Sequence, residues 1–259
     1  MNVEVHSLTD TAYFLSDTHF KYHSISENET KKRRYFLDFL LSIEGASRLY
    51  LLGDIFDFWF EYRNVVPRHY HDILDGLYAL HKGGTQIFMT GGNHDFWLGP
   101  YLSETLGFTI LPSITTHTLQ GRTITLTHGD TLLPGDHAYK TLKKIIRSRP
   151  VVALAHLVHP DILYGFAHGF SKASKGITKK KTEKSKNTLV NLAESSFFRW
   201  GNDVFVMGHV HFPCVECFGD RVFVILGDWE DHFSYLRLEE SKLYLEYYRS
   251  REKTLIEKR

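Results

Sequence analysis

The sequence predicts a layered α/β fold with mixed sheets. Three observations carry that reading. Short apolar runs alternate with helix-spaced patterns through the first half, hairpin-type strand patterns fill the last fifth, and the stretch between is helical and basic with no clear strand. Strands alternating with helices pack as a covered sheet, and a run of consecutive hairpins extends it with antiparallel strands.

Taken in order, Tyr13-Phe14-Leu15 forms a first strand that ends at "SDTH". A helix follows in "TKKRRYFLDFLLSIE", where Tyr35, Phe36, Phe39, Leu40 and Ile43 recur at helical spacing. "RLYLL" is a second strand, ending at "GD", and "RHYHDILDGLYALHKG" a second helix stopped by Gly83-Gly84. "TQIFMT" is a third strand, running into "GGNHD". "ITTHTL" and "RTITLTHGD" pair as a hairpin around Gln120-Gly121. Residues from His137 to Trp200 read as helices and a basic tract, an insertion lying over one end of the sheets. Strands return with "DVFVMGHVH", then "VECF", a Gly219-Asp220 turn and "RVFVIL"; "SYLRL" and "LYLEYY" make a last hairpin. Phe36, Phe39, Tyr78 and Phe88 sit at core periodicity and are read as packing.

Composition narrows the class. The chain has 259 residues, 42% hydrophobic and 24% charged, as in an ordinary globular protein. A net charge of +1 gives no global pull toward nucleic acid or anionic membrane, so no nucleic-acid partner is expected. The N-terminus lacks a signal-peptide pattern and no window is long and apolar enough to span a bilayer, which makes the cytoplasm the expected compartment. Cys214 and Cys217 stand in a C-x-x-C without a second pair, in a strand where positions three apart face opposite sides, so neither metal nor disulfide is read there.

Five of the strands end in the same kind of residue. Asp17 and His19, Asp54, Asn93 and His94, His128, and finally His209 and His211 each follow an apolar run, and glycine directly precedes Asp54, Asn93 and His209. Ligands of open α/β sheets bind at the carboxyl ends of strands. Carboxylates buried together repel one another and lose hydration, and a cation relieves both costs. Oxygen and imidazole donors without thiolate suit Mn²⁺, Fe or Zn²⁺. These eight side chains exceed what one ion takes from protein, whereas two ions sharing a carboxylate would use most of them.

The ordered blocks D-x-H (17–19), G-D (53–54), G-N-H-D (92–95), H-G-D (128–130) and G-H-x-H (208–211) resemble the calcineurin-like metallophosphoesterase superfamily. That resemblance implies a four-layer αββα sandwich with a helical cap insertion, the core over 1–136 and 201–259 and the cap over 137–200. It implies two divalent ions, Mn²⁺ first, with Fe or Zn²⁺ as alternatives. Asp17, His19 and His211 would hold one ion, Asn93, His128 and His209 the other, and Asp54 would bridge them. His94 would stand beside the scissile phosphate as the catalytic group, with Asp95 orienting its ring.

"GDIFDFWFEY", "GNHDFW" and "ILGDW", with the chain length and the helical insertion, are similar to the UDP-2,3-diacylglucosamine diphosphatases of lipid A biosynthesis. The implied reaction is hydrolysis of that pyrophosphate to UMP and 2,3-diacylglucosamine 1-phosphate. Proteobacterial members of that family carry Arg where this chain has His94, so another nucleotide or small-molecule phosphodiester or pyrophosphate stays open as the alternative substrate. The tract "KASKGITKKKTEKSK" holds seven lysines and one glutamate, beside the apolar "VVALAHLVHPDILYGFAHGF". It reads either as a solvated lysine face or as a lid whose apolar side takes acyl chains and whose lysines meet phosphate or anionic headgroups. On the second reading Lys172, Lys175, Lys179 and Lys180 bind substrate, Trp59 and Trp97 line the pocket, and the protein touches the cytoplasmic face of the inner membrane peripherally. The oligomeric state is left open.

Overall fold

A β-strand sends alternate side chains to opposite faces, and that alternation builds the layers of this protein. The computed structural model describes residues 9–22, 26–132, 141, 144–167, 182–248 and 253–256. Strand β1 (Thr9–Leu15) pairs in parallel with β2 (Ala46–Leu52), β2 with β3 (Gln86–Thr90), and β3 with the short β4 (Thr109–Ile110). On the other side of β1 the chain adds an antiparallel set, β10 (Ser234–Glu239), β11 (Lys242–Tyr247) and β12 (Lys253–Ile256), giving a seven-stranded sheet in the order β12-β11-β10-β1-β2-β3-β4. A five-stranded sheet runs β5-β6-β7-β9-β8, from β5 (Ile114–Leu119), β6 (Arg122–Thr127), β7 (Val204–Met207), β8 (Cys214–Phe218) and β9 (Arg221–Ile225). In it β6, β7 and β9 are parallel neighbours, and the two edge strands are antiparallel.

The alternation is visible residue by residue. Phe14, Tyr50 and Leu52 of the first sheet meet Ile124, Leu126, Val204, Val206 and Val224 of the second in one buried cluster between the sheets. The residues in between, Leu15, Leu49 and Leu51, face outward onto helices α1 (Glu27–Ser42) and α2 (His71–Lys82). Ser26 caps α1 by accepting a hydrogen bond from the Glu29 backbone N–H, and Phe36, Phe39 and Leu40 supply its buried stripe. Phe36 and Phe39 pack edge-on against Trp229, with ring centroids 5.5 and 5.0 Å away. Tyr78 departs from its expected packing role: it lies on the outer face of α2 and is 36% exposed.

On the far side of the second sheet, Phe205, Met207, Phe223 and Ile225 pack under helix α5 (Thr182–Ser196) and the 3₁₀ turn that follows it, through Leu189, Ala193, Phe197 and Phe198. The result is a four-layer αββα sandwich. Residues 182–200, inside the expected 137–200 insertion, thus cover the apolar outer face of β7 and β9. Two further helices of the insertion, α3 (Arg149–Ala155) and α4 (160–167), sit on the loops beyond the strands. There Tyr164 packs edge-on with Tyr22 and Phe58 at 5.0 and 4.9 Å, and His156 lies 4.8 Å from Phe60.

Candidate metal centre

Strands β1, β2, β3, β6 and β7 each end in a polar loop, and these loops meet. Nε2 of His19 is 3.2 Å from Nε2 of His211, and Oδ1 of Asp17 lies 3.8 and 3.4 Å from the same two nitrogens. Beside them, Nε2 of His128 is 3.2 Å from Oδ1 of Asn93 and 3.4 Å from Oδ2 of Asp54. Asp54 joins the two groups, because its Oδ2 is also 3.7 Å from Nε2 of His19. His209 completes the second group with Asp54 and His128, donor atoms within 4.8 Å of one another. All seven residues expected to ligate are thus in one place.

The backbone is bent to bring them there. Asp17, His19, Asp54, His209 and His211 all adopt positive φ, at 56°, 43°, 53°, 71° and 58°. Left-handed backbone at residues other than glycine is strained, and such strain collects at functional sites. Glycine permits the close approaches: a Cβ on Gly92 would overlap the Asp54 carboxylate, and one on Gly208 would overlap Asp17 and Ser16. The carboxylates also fasten the loops to each other, Asp54 accepting from the His94 N–H at 2.8 Å and Asp17 from the His209 N–H at 2.8 Å.

The electrostatics are those of a site built for positive charge. Burial pushes the Asp17 carboxyl up, against the pull of nearby histidines. Burial also opposes ionisation of Asp54, yet His128, His94 and His19 together hold it well below the usual carboxylate range. Burial pushes His19 well below the usual imidazole range and brings His209 down to about 4. His128 rises to about 10: burial opposes its charge, but the Asp54 carboxylate beside it prevails. Oδ1 of Asp17 is buried with no hydrogen-bond partner, an unmet acceptor turned toward the two imidazoles. Imidazole nitrogens, buried carboxylate oxygens and one amide oxygen, without thiolate, fit hard or borderline divalent cations. Donors bound to one ion at about 2.1 Å stand about 3 Å apart, near the closest separations seen here.

Asp95 departs from its expected role. It does not orient the His94 ring, because its two oxygens are taken by backbone N–H groups of Gly92, Asp54, Ile55 and Phe56 at 2.8, 3.0, 2.7 and 3.2 Å. It is the buried tie between the loops after β2 and β3. The His94 ring is held instead by Asp57, whose carbonyl oxygen is 3.1 Å and whose Oδ1 is 3.7 Å from Nδ1. Asp57 stands in plain sight in "GDIFDF", three residues past Asp54, but nothing in that spacing says which ring it will meet.

Trp59 is also corrected. It is fully buried, stacked on Phe56 at 4.6 Å, with its Nε1–H donated to Glu61, so its ring supports the loops from within. Glu61, unassigned from sequence, ties this loop to the one after β3 by also accepting from the N–H groups of Gly99 and Tyr101. Trp97 is half-buried between Phe58 and Phe60, at 5.9 and 5.0 Å. Asp228 of "ILGDW", which the sequence leaves without a role, places its Oδ2 4.0 Å from Nδ1 of His211 and 3.0 Å from Nδ1 of His232. Lys172, Lys175, Lys179 and Lys180 lie outside the described residues. Cys214 is buried and Cys217 exposed, on opposite faces of β8 as expected.

The calcineurin-like phosphoesterase family model matches residues 11–213, the span from β1 through the last of the five loops. A UDP-2,3-diacylglucosamine hydrolase of Porphyromonas gingivalis is 31% identical, the match covering 90% of this chain and 96% of that protein. One of Xanthomonas oryzae pv. oryzae is 31% identical over 91% of this chain and 98% of its own length. One of Pasteurella multocida is 28% identical over 89% and 95%. A match that begins on the first ligand-bearing strand and closes just past His211, with relatives alike over nearly their whole length, makes this chain a member of the calcineurin-like phosphoesterase family.

Proposed function

We propose that this chain, a metal-dependent phosphoric-ester hydrolase by family, cleaves the pyrophosphate bond of UDP-2,3-diacylglucosamine to UMP and 2,3-diacylglucosamine 1-phosphate. The observation that carries the substrate is the near full-length likeness to UDP-2,3-diacylglucosamine hydrolases, insertion included. Asp17, His19 and His211 would hold one divalent ion, Asn93, His128 and His209 a second, and Asp54 both. Mn²⁺ is the first choice and Fe or Zn²⁺ the alternatives. When bound, the ions supply positive charge at the phosphoryl oxygens and make water a nucleophile near neutral pH.

The chain's own residues supply the rest. With Nδ1 of His94 fixed on the Asp57 carbonyl, Nε2 is left for the phosphoryl group. A protonated His94 there stabilises charge on the transferring phosphoryl oxygens or delivers a proton to the departing oxygen. Asp95 keeps the Asp54 loop in register through four backbone N–H groups, and so acts on ligand geometry. We assign the core to 1–136 and 182–259 and the cap to 137–181. Leu154, Leu157, Ile162 and Phe166 of the cap are exposed, at 63%, 83%, 53% and 74%. An apolar surface of that kind suits acyl chains and the headgroup boundary of a membrane. No single described helix is long and apolar enough to cross a bilayer, and the membrane contact in this reading is a peripheral one made by that apolar surface. Trp97 and the four lysines remain proposed substrate contacts.

The test is substrate choice. Purified protein with Mn²⁺ should release UMP from UDP-2,3-diacylglucosamine far faster than from UDP-N-acetylglucosamine. Equal rates would reduce the assignment to a general pyrophosphatase.

A further inference from the structure

One buried lysine on α1 stands apart from the ligand set and the cap. Lys32 is 5% exposed, unusual for a residue whose ammonium normally stays in water. Its Nζ donates to the carbonyl oxygens of Thr18 and His19 at 2.7 and 2.9 Å. Those two carbonyls belong to the peptide units on either side of the His19 Cα. A single ammonium therefore pins both backbone torsions of a residue whose φ is 43°. From the opposite side, the His19 N–H donates to the Asp54 carbonyl at 2.9 Å.

The charge is balanced locally. Glu29, one turn earlier on α1, lies 3.1 Å from Nζ, and Glu230 lies at 3.7 Å. Glu29 is itself held by Arg33 at 3.1 Å and by the Lys21 N–H at 2.9 Å, while Arg33 donates to the Lys21 carbonyl at 2.7 Å. The buried charges of α1 thus meet carbonyls from Thr18 to Lys21, the stretch that sets the direction of His19. Burying an ammonium is costly and hydrophobic replacements of buried ion pairs are often as stable, so stability alone does not account for the lysine.

We infer that Lys32 is a positioning residue of the first metal site, holding the backbone around His19 so that His19 and Asp17 face a common cation. The inference rests on the metal-centre reading above and deepens it. Electrostatics gives the test a sign. Removing a positive charge near a cation site should by itself tighten cation binding, whereas losing the positioning contact should weaken it.

Mn²⁺ titrated calorimetrically into the metal-free wild-type protein should show two sites. In Lys32→Met one of them should weaken about 10–100-fold, the range typical for loss of a group that orients a ligand, while the other is unchanged. Lys31→Met, an exposed neighbour, should match wild type. The charge-balanced double variant Glu29→Gln/Lys32→Met is measured alongside, because the single change leaves Glu29 short of a partner; circular dichroism establishes that each is folded. A folded variant that binds both ions as tightly as wild type, or tighter, overturns the positioning role alone. Failure of both variants to fold makes the lysine a fold element and overturns it as well. Wild type that takes up no pair of ions overturns the metal centre together with this inference.

Discussion

His94 is the group on which the proposed proton chemistry turns, and its surroundings allow two roles to be separated. It lies within 4.8 Å of donor atoms of His19 and Asp54, close enough to be a ligand, and yet its Nδ1 is engaged by Asp57. If it acts on the phosphoryl group, His94→Ala should slow turnover by about 10²–10⁴-fold, the usual worth of a positioned acid or base, with the bound metal per chain unchanged. Metal analysis of the purified variant decides: loss of an ion would make His94 a ligand. At this scale the seven donors were legible in the sequence, because each follows an apolar run and the types repeat. The partners of those donors were not. Asp95 is adjacent to His94 in the chain but faces the backbone of the neighbouring loop, whereas Asp57, far along the chain, reaches the ring. Hydrogen-bond geometry across two loops has no signature in spacing.

At the scale of elements, a strand buried on both faces writes its burial into the sequence, and a helix buried on one narrow stripe writes much less. Runs such as "RLYLL" and "DVFVM" therefore announce β2 and β7, while among the side chains described in α5 only Leu189 and Ala193 are fully buried before its 3₁₀ extension brings in Phe197 and Phe198. With so sparse a stripe beside a lysine-rich tract, the sequence pattern alone does not separate this layer from an insertion. Phe197 settles the matter experimentally. Its ring stacks on Phe205 at 4.6 Å and is 5% exposed. Phe197→Ala should cost about 3–5 kcal/mol of global stability, read from the shift in the denaturant midpoint at constant slope. A change below about 0.5 kcal/mol, as for an ordinary surface site, would return residues 182–200 to the cap. The short strands β4 and β12 are silent in the sequence for a related reason: with few residues each, neither shows a period.

Over the whole molecule, chain order and spatial order part company. The last strands return to β1, so β10 lies antiparallel to the first strand of the chain, and Trp229 comes to rest among the rings of α1. Sequence patterns placed these hairpins but could not say which edge they join. The same non-local packing fixes where the proposed cap stands. The Tyr62 hydroxyl donates to the Val158 carbonyl at 2.9 Å, and the Tyr164 hydroxyl to the Phe60 carbonyl at 3.2 Å. Both bonds join α3 and α4, or the turn between them, to the loop that continues from Asp54. The cap is therefore referenced to the ligand loops, and a substrate with one end at the metal centre meets apolar surface at a set distance. Tyr62→Phe/Tyr164→Phe keeps the rings and removes both hydroxyls. Each lost hydrogen bond is worth about 1 kcal/mol, so together they loosen the seat by about 2 kcal/mol without unfolding the core. KM for the acylated sugar nucleotide should then rise, up to about thirtyfold if that whole difference is spent on seating the cap. A small chromogenic phosphodiester, which reaches only the metal centre, should be hydrolysed as before. Equal losses on both substrates would mean that these hydroxyls hold the ligand loops rather than the cap, and acyl recognition would have to be sought elsewhere on the surface.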